Sequence, residues 1–101
     1  MPRVVWTEEA EERLAAVPSD ETVEELLALA AGLARFTQRG RHVPELEGRP
    51  EYEIVREIIL PRKARVFYLF VPDSDEVIIL GLLPRGWAFR QRVLGPRFER
   101  D

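Results

Sequence analysis

The sequence predicts an α+β fold: a helical hairpin packed on one face of a small, curved, largely antiparallel sheet, in the order β-α-α-β-β-β. Three observations predict it. Two apolar runs, Arg65–Val71 and Val77–Leu83, flank the polar turn Pro72–Glu76. Two capped segments with helical apolar spacing precede them, meeting at Pro18-Ser19. Short β-rich segments stand on either side of those helices.

The first element is Arg3–Trp6, a short apolar strand. Thr7 then caps a helix whose first turn carries Glu8 and Glu9, where carboxylates meet the positive end of the helix dipole. Ala10, Leu14 and Val17 give it a narrow apolar stripe, and Pro18 ends it. Ser19 caps the next helix, with Thr22-x-x-Glu25 as an alternative capping box. Val23, Leu26, Leu27, Ala30, Leu33 and Ala34 recur at i, i+3, i+4, i+7 and beyond, and Leu29 and Phe36 widen that face. Gly40 reads as the stop, and residues 41–50 as loop punctuated by Pro44, Gly48 and Pro50.

Tyr52–Leu60 alternates as a second strand, with Ile54, Arg56, Ile58 and Leu60 on one face. Pro61–Lys63 turns into the hairpin, whose strands are rich in β-branched and aromatic residues. Pro72, Asp73, Ser74 and Asp75 supply its turn chemistry. Pro84–Trp87 breaks the last strand, and residues 88–101 form a basic tail with Phe89, Val93, Leu94 and Phe98 as apolar anchors. The sheet face away from the helices, which carries Arg and Glu among its apolar residues, or the part of it near Trp87, is expected to be free for function.

One domain of 101 residues is implied, with no repeat and no internal boundary. The absence of cysteine excludes disulfides and thiol chemistry, and a single histidine argues against a His-based metal site. Neither a spanning segment nor a signal peptide is visible, so a cytoplasmic protein is expected, with no membrane partner. The net charge of −3 hides a polarity. Residues 1–31 carry eight acids against two bases, −6, whereas residues 32–101 carry thirteen bases against ten acids, +3. A basic end can meet a polyanion or an acidic protein even when the total is negative.

Hydrolytic constellations are missing. Ser19 and Ser74 sit in turn contexts away from His42, and the glycines make no phosphate-binding pattern. The acidic turn Asp73, Asp75, Glu76 reads as solvated rather than as a cation site, so neither metal nor other cofactor is expected, and no small-molecule substrate. What remains is a set of arginines: Arg56 in the second strand, Arg65 opening the third, Arg85 after the fourth. Strands lie about 4.8 Å apart, so the three could converge as a cluster that binds phosphate or carboxylate. The alternative is that they pair with Glu45, Glu53 and Glu57.

The runs Gly40-Arg41-His42-Val43-Pro44-Glu45-Leu46, Arg56-Glu57-Ile58, Arg65-Val66-Phe67-Tyr68 and Val77-Ile78-Ile79-Leu80 closely resemble the RelE/ParE superfamily of toxins from type II toxin–antitoxin systems. The resemblance spans about 85 residues, from Val4 to roughly Gly86, and leans to the ParE branch. It implies a toxin held by a cognate antitoxin and acting on a macromolecular target, with DNA gyrase the first expectation. The RelE branch, which cuts mRNA on the ribosome, is the alternative. It would make Arg65 and Arg85 catalytic, stabilising the pentacovalent phosphate, with Arg56 and Arg90 positioning the backbone. Glu53 and Val55 stand where that branch places lysines, and no tyrosine follows Trp87. A third reading is a family member that keeps fold and antitoxin but has lost toxicity. Target and antitoxin contacts are expected at Arg56, Arg65, Arg85, Trp87, Phe89, Arg90 and Arg92.

Overall fold

A computed structural model describes residues 1–96. Strand β1 (Arg3–Trp6) leads into α1 (Glu8–Ala15) and α2 (Asp20–Gly32), followed by β2 (Arg41–His42), β3 (Arg56–Leu60), β4 (Ala64–Val71) and β5 (Glu76–Pro84). The sheet order is β1-β5-β4-β3-β2, with β1 parallel to β5 and every other pair antiparallel. No helix among the described residues is long and apolar enough to cross a membrane.

Both expected caps form. The Thr7 hydroxyl oxygen accepts from the Ala10 N–H at 3.2 Å and donates to the Ile79 carbonyl at 3.0 Å, which also pins the start of α1 to β5. Ser19 Oγ accepts from the Thr22 N–H, so Ser19, not Thr22, is the cap of α2. The helices cover one sheet face. Ala10, Leu26, Ala30 and Leu33 are buried there against Val66, Tyr68, Val77, Ile79 and Leu82. Each large side chain buried in this way contributes roughly 1.5–3 kcal/mol.

Most of the opposite face is covered too, which corrects the expectation that the whole face is free and leaves the part near Trp87 open. Val43, Leu46, Tyr52 and Val55 from the 43–55 segment, with Val93 and Leu94 from the tail, bury Phe67, Leu69, Leu80 and Leu83 in a second core. The tail is held by its expected anchors Val93 and Leu94 and turns through a 3-10 segment at Gln91–Leu94. Its close approach depends on Gly81, where a Cβ would overlap the Val93 carbonyl oxygen. The pairing of β4 with β5 slips at Phe67/Tyr68, opposite Gly81 and Ile79 respectively. This β-bulge turns Leu80 and Gly81 both toward the tail. Phe98 lies outside the described residues.

Three further expectations change. Strand β3 begins at Arg56 rather than Tyr52, because Pro50–Tyr52 closes into a 3-10 turn and the Val55 N–H donates to the Tyr52 carbonyl. The segment expected as loop after Gly40 contains the short edge strand β2 and a second 3-10 turn, Pro44–Leu46. Gly40 does not end α2, which stops at Gly32. It is buried where a Cβ would lie 2.6 Å from the Tyr68 hydroxyl. Its N–H donates to that hydroxyl at 2.8 Å, the hydroxyl donates to the Thr37 carbonyl at 2.9 Å, and Arg56 Nη1 donates to the Gly40 carbonyl at 2.7 Å. Burial pushes the Tyr68 hydroxyl pKa above its usual value.

Candidate functional site: an arginine–carboxylate cluster and a basic aromatic rim

Register decides which arginines meet. Cross-strand partners share a face, and Arg56 pairs with Tyr68 while Ile59 pairs with Arg65. Positions 56 and 59 differ by an odd number, so Arg56 and Arg65 project from opposite faces. Arg56 is consumed by the Gly40 carbonyl on the helix side. The three-arginine cluster, one of the two arrangements open from the sequence, does not form.

Arg65 instead enters a charge network on the second-core face. Glu57, only 1% exposed, takes Arg65 Nε on one carboxylate oxygen at 2.7 Å and Arg41 Nε on the other at 3.1 Å. A buried carboxylate is tolerated only when paired, and here both oxygens are. With Nε held inward, the two Nη atoms of Arg65 face the 43–46 turn. They grip Glu45 as a fork, Nη1 to Oε2 at 2.9 Å and Nη2 to Oε1 at 2.7 Å. The guanidinium also lies over the rings of Phe67 (5.1 Å) and Phe89 (5.8 Å), which meet edge to face. These contacts act in one direction. The hydrogen bonds to Glu45 and then Glu57 raise the Arg65 pKa, and the Arg65 fork holds the Glu45 carboxyl below its ordinary value. The expected pairing with Glu45 and Glu57 is thus the arrangement found for Arg65. The runs that carried the resemblance supply all four members: Arg41, Glu45, Glu57 and Arg65.

The second feature is the open end of the β4–β5 hairpin. The Arg85 N–H donates to the Lys63 carbonyl at 2.9 Å, tying the strand exit to the β3–β4 turn. Gly86 turns there with φ 85°, a conformation that favours glycine. Trp87 is left 63% exposed. It borders a shallow depression shared with Arg62, Lys63, Arg65 and Arg85. It also borders an apolar cleft of about 470 Å³ between the α1–α2 corner and the hairpin end, floored by Val17, Leu26, Ala64 and Leu82. Arg65 and Arg85 do therefore share a rim. Arg90 and Arg92 are exposed and Phe89 is half-buried under Arg65.

Arg62 and Ile59 were not singled out by the sequence. Arg62 adopts φ 67°, unusual for a residue with a side chain, and Ile59 is 42% exposed beside it. The only sequence signal for Arg62 was its place in a three-residue turn. Lys63 at the same rim pairs with Glu25. The acidic turn is spent on structure: Glu76 pairs with Arg3, and Asp75 turns the chain at φ 52°. No group of three or more His, Asp or Glu among the described residues could hold a metal ion.

The solved structures with similar folds include the RelBE2 toxin–antitoxin complex from Mycobacterium tuberculosis. It aligns with a TM-score of 0.70 and 23% identity over 84% of this chain and all of that one. The intact E. coli RelBE toxin–antitoxin complex aligns at 0.63 and 13%, over 89% of this chain and all of that one. A double arginine-to-alanine mutant of the E. coli toxin RelE in the free state aligns at 0.59 and 13%, over 80% of each. No curated protein sequence matches significantly. The model of the ParE toxin of the type II toxin–antitoxin system parDE matches residues 4–88. The chain belongs to the ParE toxin family of type II toxin–antitoxin systems.

Proposed function

We propose that this toxin poisons its cell by docking on a macromolecular target, DNA gyrase, rather than by cutting RNA, and that a cognate antitoxin neutralises it. The observation that carries this reading is the state of Arg65. A metal-free ribonuclease needs arginines whose forks are open to a phosphate. Here the Arg65 fork is filled by Glu45, its Nε by Glu57, and Arg56 points to the other face. The rim offers what a docking protein needs: an exposed Trp87 anchor beside an apolar cleft, flanked by Arg62 and Arg85. The proposed antitoxin sets apolar side chains in that cleft and carboxylates against the rim arginines, with Phe89, Arg90 and Arg92 extending the contact.

One observation favours the nuclease alternative: Arg65 and Arg85 border the same depression. The two readings separate in cells. Induction of the toxin alone should arrest growth, and co-expression of the adjacent antitoxin gene should restore it. Under the docking reading, supercoiling by purified gyrase falls with added toxin and primer extension finds no new mRNA 5′ ends. New 5′ ends on ribosome-bound mRNA, with supercoiling untouched, would establish the nuclease instead.

A further inference from the structure

The network around Arg65 has the form of an occupied binding site. We propose that Glu45 is an internal latch filling a carboxylate site built on Arg65, and that an acidic side chain of a partner protein takes its place when the latch opens.

Four features support this. First, the fork is fixed before any ligand arrives. Glu57 is buried and holds Nε, while the adjoining rings of Phe67 and Phe89 lie against the guanidinium, so the two Nη donors are aimed and cost little to order. Second, the occupant is replaceable. Glu57 sits in the core, but Glu45 stands on the surface turn Pro44–Leu46 with its side chain 40% exposed. Third, the turn keeps its anchors without the carboxylate, because Val43 and Leu46 on either side are buried in the second core. Fourth, the charges balance only with the latch closed. Arg41 and Arg65 face Glu57 and Glu45, so withdrawing Glu45 leaves one net positive charge at a preformed bidentate donor pair, which is what planar oxyanions bind. The inference rests on the reading of Arg65 as a partner-binding residue, not on gyrase as that partner.

The test uses the whole protein and two probes, N-acetylglutamate for a carboxylate and inorganic phosphate for a phosphate, each titrated while the Arg65 Nε–H resonance is followed by NMR. A closed latch divides the apparent affinity by the fraction of open sites. A latch closed nine times in ten therefore predicts roughly tenfold tighter binding in Glu45→Gln than in wild type. The gain should vanish in Glu45→Gln/Arg65→Gln. The carboxylate probe should be the tighter of the two in Glu45→Gln; phosphate bound more tightly would overturn the assignment of a partner protein's acidic side chain as the occupant. Equal affinity in wild type and Glu45→Gln for both probes overturns the latch. So does a gain that survives loss of Arg65. Glu45→Asp, which keeps the charge but withdraws it by one methylene, gives a second reading of the same titration should Glu45→Gln lose the fold. Because neither probe involves gyrase, a failed latch leaves the docking function standing, and an unaffected gyrase leaves the latch standing.

Discussion

Replacing Arg65 with methionine tests whether the charge network holds the second core together. Methionine keeps an unbranched stem against Phe67 and Phe89, so little packing is lost. What is lost is the charge. Glu57 has a side chain with no exposed surface, and its nearest donor, Arg65 Nε at 2.7 Å, disappears. Stranding one partner of a buried ion pair costs roughly 3–5 kcal/mol. Arg41 remains at 3.1 Å from the other oxygen, on a side chain 62% exposed, and answers part of that demand. The half-exposed Glu45 arm adds at most about 1 kcal/mol. Arg65→Met should therefore destabilise the fold by roughly 2–4 kcal/mol, a large share of the ~5–15 kcal/mol typical of a domain. At ~4–8 °C per kcal/mol for a chain near this size, the thermal midpoint should fall by about 10–30 °C. Urea unfolding with an unchanged m-value is the assay. The companion Arg65→Met/Glu57→Leu should recover most of the loss, since an apolar pair can replace a buried ion pair at little net change. A single variant within about 1 kcal/mol of wild type, or a double variant whose losses simply add, would refute the assignment of Glu57 as a buried charge dependent on Arg65.

Three other outcomes follow from the same structure. Gly81→Ala places a methyl into the Val93 carbonyl, so the tail should lift, and losing the burial of Val93 and Leu94 costs roughly 3–6 kcal/mol; dye binding to exposed apolar surface and faster amide exchange in β5 are the readouts. Tyr68→Phe leaves the buried Gly40 N–H without its acceptor, so roughly 1–3 kcal/mol should be lost and the Gly40 amide should exchange faster, while unchanged exchange would remove the hydroxyl from its assigned role. Arg65 holds the Glu45 carboxyl below its ordinary 4.5, so the stabilisation from this pair is complete above about pH 4.5 and lost as pH falls through the lower folded value. The stability gap between wild type and Glu45→Gln should thus be constant near neutrality and narrow as pH falls below about 4.5; a gap that does not narrow in acid contradicts the pairing.

The elements legible in the sequence were those whose cause is local. Thr7 and Ser19 cap because a short oxygen-bearing side chain sits just before an acidic first turn. The β4–β5 hairpin is signalled by its own turn residues. Pairing between distant segments left no such mark. That β1 lies parallel to β5 follows from Val4 and Val5 needing cover, and no spacing in the chain announces it. The convergence of three arginines failed on parity: alternation tells which residues share a face within one strand, but only the register between strands tells that Arg56 and Arg65 do not. The tail's anchors were legible, but their seat was not. Val93 and Leu94 look like scattered apolar residues until Gly81 and the bulge open a seat for them. The resemblance runs, by contrast, hold the whole charge network, and three of the four runs meet at Glu57.

Docking is read directly by the supercoiling of relaxed plasmid by DNA gyrase in the presence of the purified toxin and of its Trp87→Ala/Arg85→Ala variant, which alters only exposed side chains at the rim. Docking through that rim predicts that wild type suppresses supercoiling, that the folded variant does not, and that neither generates new mRNA ends on ribosomes. Supercoiling unaffected by a large excess of folded wild-type toxin, in a protein that still arrests growth, would contradict it.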